Sequence, residues 1–153
     1  LPVANWVQTD ATFEGWEAQL SWDFLENSSG LWTLNAITDS VKATTTGGEN
    51  LPRIVPARVG ADIAWQLGSW TAGFGVLHVF DQNSVAPDET KTEGYSWFNA
   101  NLAYNWSLGD TDLQVFLDGS NLGNEEARVA TSYLKDFAPL PGRSFEAGIR
   151  IYF

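Results

Sequence analysis

Apolar and polar residues alternate along most of this chain, with the period of a β-strand and little trace of a helical repeat. Trp16, Ala18, Leu20, Trp22 and Phe24 share one side of an extended segment, and Glu17, Gln19, Ser21 and Asp23 share the other. Ala57, Val59, Ala61, Ile63, Trp65 and Leu67 oppose Arg58, Gly60, Asp62, Ala64 and Gln66 in the same way. Phe98, Ala100, Leu102, Tyr104 and Trp106 oppose Asn99, Asn101, Ala103 and Asn105. Phe145, Ala147, Ile149, Ile151 and Phe153 oppose Ser144, Glu146, Gly148, Arg150 and Tyr152. Weaker segments at 32–41, 70–80 and 113–121 bring the expected total to seven strands, the first beginning as early as Trp6. In the 70–80 segment, Leu77 and Val79 spoil the polar side. Several segments run to about 9–12 residues, near the length a tilted strand needs to cross a bilayer.

The connections alternate in length. Short turns are expected at 26–30, 68–69 and 108–110, and long links at 44–52, 82–92 and 123–141. An outer-membrane barrel has this parity because one end carries short turns and the other long loops. Trp22, Trp32, Trp65, Trp70 and Trp106 all flank the short turns. Rings with one apolar and one wet end gather at membrane interfaces, so these five are the candidate aromatic girdle. Trp6, Trp97, Tyr95 and Phe80 fall toward the opposite rim. The pattern leaves two rivals open. A small autonomous barrel acting as an adhesin or pore shares it, and a soluble Trp-rich carbohydrate-binding sandwich would bury the same rings.

Composition narrows the classes. The chain has no run of 18 apolar residues, so no helix in it spans a membrane, while its mean hydropathy of -0.17 suits alternating strands. A formal charge of -11, from 19 acidic and 8 basic residues, repels phosphate backbones and argues against nucleic acid as a partner. The absence of cysteine removes disulfides, thiolate metal sites and cysteine nucleophiles. Leu1-Pro2-Val3-Ala4 does not start a secretory signal, so an exported protein with this sequence is expected to extend further upstream.

Particular segments resemble the TonB-dependent outer-membrane receptors. The stretch Pro141-Gly142-Arg143-Ser144-Phe145, continuing to Tyr152-Phe153, is similar to their closing strand. Leu117-Asp118-Gly119-Ser120-Asn121-Leu122-Gly123-Asn124 is similar to the strand before it. Gln8 to Glu17, Leu51 to Gly60 and Glu89 to Tyr95 also look like family segments, in family order. Tyr133-Leu134-Lys135-Asp136-Phe137-Ala138-Pro139 resembles the branch associated with zinc or haem uptake. That branch often has a histidine within the stretch here reading Arg128-Val129-Ala130-Thr131-Ser132, and Ala130 stands in its place.

The resemblance implies an all-β, antiparallel transmembrane barrel of about 22 strands with a plugged lumen. Residues 1–153 would supply about seven C-terminal strands, with the plug domain and earlier strands lying elsewhere. An odd strand count supports a partial barrel, since single-chain bacterial barrels have even numbers. The implied location is the bacterial outer membrane. The implied partners are outer-membrane lipid, the plug and earlier strands, the inner-membrane TonB complex, and the barrel-assembly machinery. Phe145, Ile149, Ile151 and Phe153 are the side chains that machinery would read.

Candidate chemistry is sparse. His78 is the only histidine, and strict alternation from Trp70 places it on the lipid side near the outer rim. No nucleophile elbow surrounds a serine, and Gly73-Phe74-Gly75 lacks the third glycine of a dinucleotide fingerprint, so neither enzyme chemistry nor a cofactor is expected. Asn27-Ser28-Ser29 and Asn105-Trp106-Ser107 match the glycosylation triplet by chance. Carboxylates are the better candidates. Asp88, Glu89 and Glu93 cluster in one outer loop, and Glu125, Glu126 and Asp136 in another. Oxygen-rich clusters attract hard cations or cationic complexes, although a solvated acidic loop has the same composition. Glu17, Asp23, Asp62, Glu146 and Arg150 are expected on the lumen side, making structural polar contacts.

Overall fold

The computed structural model describes residues 8–153. The early strand start at Trp6, and the placement of Trp6 at a rim, lie outside these residues. Seven strands follow in order: β1 (Ala11–Asn27), β2 (Gly30–Thr45), β3 (Arg58–Leu67), β4 (Trp70–Val79), β5 (Tyr95–Leu108), β6 (Thr111–Ser120) and β7 (Ser144–Tyr152). Each pairs antiparallel with the next in one sheet of order β1-β2-β3-β4-β5-β6-β7. The described residues contain no helix long and apolar enough to cross a membrane, which says nothing about crossing by strands.

The three short connections make this meander tight. Gly68 and Gly109 have φ of 54° and 63° and open two-residue turns that Ser69 and Asp110 complete without positive φ. Glycine first in the turn gives the type II′ geometry, whose twist matches that of the flanking strands. In the third turn, Asn27 Oδ1 accepts the Ser29 amide at 2.7 Å. The long loops fill the alternate positions: loop A (46–57), loop B (80–94) and loop C (121–143).

Register decides which side chains share a face, because directly paired residues point the same way. One lateral row contains Trp22, Leu34, Ile63, Phe74, Ala100, Gly119 and Phe145. The neighbouring row on the other face contains Asp23, Thr33, Ala64, Gly73, Asn101, Asp118 and Glu146. One face is therefore an apolar wall and the other a polar one. A hollow of about 720 Å³ runs along the polar face and is lined in part by Thr33, Asn35, Asp62, Asn99, Asp118 and Glu146. A Cβ at Gly73 would lie 2.4 Å from Asn101 Oδ1, so glycine leaves room for this polar layer.

Among the described residues, nothing packs on the apolar wall. Trp16 is 59% exposed, Phe74 52% and Ile149 66%. Among the described residues the buried apolar side chains are few: Ala43, Pro56, Val79, Ala103, Phe116, Ala127 and Ala130. A sandwich would bury one sheet face against a second sheet. Among the described residues there is one sheet and no second layer, so a two-sheet sandwich is not their fold. Among the described residues the sheet is also open, since β1 and β7 each pair there on one side only.

The structure differs from simple alternation at two places. A β-bulge between Asp23 and Leu25 inserts Phe24, and Leu25 pairs with Trp32, so the phase of β1 shifts by one residue near its end. Tyr95 and Trp97 do reach the long-loop rim, but they pair with Val79 and Leu77 and point to the polar side. Trp97 donates to Ser120 Oγ at 3.3 Å on that face. These two rings line the lumen and not the lipid boundary, because outward positions in β5 carry even numbers. β1 and β2 run to 17 and 16 residues, so their hairpin extends past the roughly 9–11 residues a crossing needs.

Leu20→Arg and Ile63→Arg place a charge mid-wall on the apolar face, where it costs about 2–4 kcal/mol. Each is expected to block barrel assembly, read as loss of heat-modifiable migration; normal migration by both would contradict the assigned face.

Candidate functional site

The two ends of the sheet carry different chemistry. At the short-turn end, Trp22, Trp32, Trp65, Trp70 and Trp106 all project from the apolar face. Trp32 and Trp65 pair directly with ring centroids 6.0 Å apart, and Trp70 meets Tyr104 at 4.7 Å. Trp65 Nε1 donates to the Ser29 carbonyl at 2.7 Å, which turns its polar edge toward the turn. This belt has the build of an interfacial girdle.

On the polar face, hydrogen bonds run from strand to strand. Asn35 Oδ1 accepts Ser21 Oγ at 2.8 Å, and Asn35 Nδ2 donates to Asp62 at 2.9 Å. Asp23 accepts the Thr33 hydroxyl at 2.6 Å. Arg58 reaches both Asp39 oxygens at 3.1 Å. Arg150 lies 4.0 Å over the Phe116 ring and donates to Gln114, whose Nε2 donates to Asn105. Glu17 and Glu146 sit on the same face by register. The expected structural polar contacts of Asp23, Asp62 and Arg150 are thus formed within the wall.

The long-loop end holds most of the candidate carboxylates. Glu89 accepts the Arg53 amide at 3.1 and 3.2 Å and meets Lys135 Nζ at 3.4 Å. Asp136 accepts the Thr90 hydroxyl at 2.9 and 3.0 Å. Glu126 pairs with Arg128 at 2.8 Å. Asp88, Glu93 and Glu125 are exposed. Glu93, Glu125, Glu126 and Asp136 come together around one hollow of about 550 Å³, with Lys91, Arg128 and Lys135 among them. The two acidic clusters of the sequence therefore meet across loops B and C, but basic side chains interleave them. Among the described residues, no three His, Cys, Asp or Glu side chains group to hold a metal ion.

His78 lies on the apolar face opposite Val59 and Ser96, with Nδ1 3.0 Å from Ser96 Oγ and its ring edge-on to Phe80. It is a rim packing residue. Ala130 is 4% exposed, a buried position within loop C. An imidazole at that position would require the loop to repack.

Three residues carry the loop architecture without having stood out individually in the sequence. Asn121 is fully buried at a φ of 51°. Its Nδ2 donates to the carbonyls of Glu125 and Pro141 at 2.9 and 3.1 Å, and its Oδ1 accepts the Glu125 amide at 2.9 Å. Asn124, at a φ of 55°, accepts the Arg143 amide at 3.0 Å. The two asparagines of the Asn-Leu-x-Asn stretch thereby staple both ends of loop C together. Asparagine tolerates the left-handed region better than other side chains, so the spacing was a legible turn signal. Lys135 is buried and had no such signal, because its partners come from another loop.

With this geometry in hand, the comparisons with known proteins are direct. A family model described as "TonB dependent receptor-like, beta-barrel" matches residues 3–122. Among solved structures, the chain is similar to one titled "Copper transporter OprC", with a TM-score of 0.77 and 22% identity over 94% of this chain. The chain spans 24% of that structure's length. At this identity the likeness shows the fold alone.

Replacing Asn121 by Ala removes its three side-chain bonds and strains a left-handed position, at a cost of about 2–3 kcal/mol. Limited proteolysis should then cut within 125–140 faster than in the parent, while strand fragments stay intact.

Proposed function

The chain belongs to the TonB-dependent receptor β-barrel family, and from that premise we propose that it forms the wall and outer loops of an energised uptake receptor. Its place is the bacterial outer membrane. The carrying observation is the register, which sends Trp22, Leu34, Ile63 and Phe74 outward while Asp23, Thr33 and Asn101 line the hollow side. In this reading residues 1–153 are the C-terminal part of a barrel of about 22 strands. The plug domain and earlier strands complete it, and the inner-membrane TonB complex drives it. The family is one of receptors and transporters, and this segment frames passage without covalent chemistry.

The cargo class that fits is a metal, a metal complex or another scarce nutrient. The fold neighbour's title names copper, but this segment has neither Met nor Cys and its one histidine packs at the rim. It offers no thiolate or thioether for soft Cu(I), so recognition through these loops rests on oxygen donors and on Lys91, Arg128 and Lys135. Asp88, Glu93 and Glu125 are the exposed carboxylates available for it. On the outer face of β7, Phe145, Ile149 and Ile151, with Phe153 following in phase, face lipid and serve as the side chains the barrel-assembly machinery reads.

Uptake tests the reading. Cells lacking the receptor gene should accumulate less of its nutrient under scarcity, and disabling energy coupling should lower accumulation equally. Uptake that persists without energy coupling would indicate a passive pore. A chain that stays monodisperse without detergent would remove the membrane reading altogether. Separately, Phe153→Ala should reduce the amount of folded barrel in the outer membrane, measured by quantitative blotting against an unrelated barrel.

A further inference from the structure

Loops A, B and C touch one another in all three pairings. Between A and B, Gln82 Nε2 donates to the Ile54 carbonyl at 2.7 Å and Asn50 Nδ2 to the Val85 carbonyl at 3.3 Å. Between B and C, Thr90 donates to Asp136, and Lys135 Nζ donates to the Thr90 carbonyl. Between A and C, the Arg53 guanidinium stacks 3.7 Å over the Tyr133 ring. The three meet at one group. The Glu89 carboxylate of loop B accepts the Arg53 amide of loop A and the Lys135 ammonium of loop C. It also reaches the Ala86 amide of its own loop at 3.4 Å. The side chains of Glu89 and Lys135 are only 11% and 7% exposed. Arg53 holds a φ of 57°, a conformation costly for its side-chain type, in the position that presents its amide to Glu89.

We propose that the three long loops form a single interlocked cap that opens and closes as one unit, with Glu89 as its hub. The physical reason is the asymmetry of a buried ion pair. Intact, it adds little net stability, but removing one partner leaves an uncompensated charge in a poorly solvated place. Without Lys135, the Glu89 carboxylate must turn to water, and in doing so it releases the Arg53 and Ala86 amides together. A disturbance in loop C is then felt in loop A beyond the Arg53–Tyr133 stacking contact. This coupling concerns loop motion and stands independently of any cargo, so its failure is distinct from failure of the uptake reading.

Amide hydrogen exchange on the intact receptor in detergent tests it. The reporters are the amides of Arg53 in loop A, Glu89 in loop B and Leu140 in loop C, which are bonded to Glu89, Ala86 and Ala127. In the parent, one opening unit predicts protection factors within about threefold of each other. In Lys135→Met, all three should lose protection by about tenfold or more while strand amides keep theirs, and Lys135→Arg should restore it. Loss confined to loop C in Lys135→Met overturns the proposal. Should that variant fail to assemble, the parent alone decides: protection in the three loops differing by more than about tenfold overturns it equally.

Discussion

A chain that crosses hydrocarbon must satisfy its own backbone hydrogen bonds, because no water is present to do so. In a β-structure that requirement fixes the strands side by side, and the side-chain period of two then divides every strand into an outer and an inner row. The rest of this structure follows from that division. Outer rows carry Trp, Leu, Ile, Val and Phe, and inner rows carry Asn, Asp, Ser, Thr and Gly, with pairing registers that keep each row coherent across six strand junctions. The absence of a conventional core is a consequence. Side chains that would bury each other in a soluble domain instead project from the sheet.

The inner face holds together by a different interaction. Its polar side chains bridge adjacent strands laterally, as in Ser21 to Asn35 to Asp62 and Asn105 to Gln114 to Arg150. Gly75 leaves room beside one of them, since a Cβ there would lie 3.0 Å from that of Asp62. The two ends of the strands then diverge. Type II′ turns and tryptophans close one end, while the other extends into loops that pack on one another through Lys135 and Glu89, with Asn121 tying loop C to itself.

Strand number, order and facing were legible because alternation reports the environment on each side directly. The strong segments, such as the one around Ile63, matched their observed strands closely, and the weaker 70–80 segment became β4 despite Leu77 and Val79. Where apolar residues stand on the inner row, residue type alone does not give the facing. Trp97 and Tyr95 read as rim aromatics, and parity in β5 turns them to the lumen. The bulge at Phe24 was invisible for a similar reason, since one inserted residue changes the phase while leaving composition untouched. The acidic clusters were visible as residues. Their pairing was not, because Lys135 and Arg53 are distant in sequence from Glu89.

By itself, then, the sequence determined the class of fold and the outward and inward rows, since each strand's pattern reflects the solvent it meets and needs no distant partner to express it. Its segments also pointed to the family, whose model matches most of the chain. Only the tertiary structure decided which loop groups are already committed. Asp136 and Glu89 look alike in the sequence, yet Glu89 is enclosed as the junction of three loops and Asp136 stays exposed at the hollow's edge. The reason is physical: burial and charge pairing in loops arise from contacts between segments far apart along the chain, and no local pattern records those contacts.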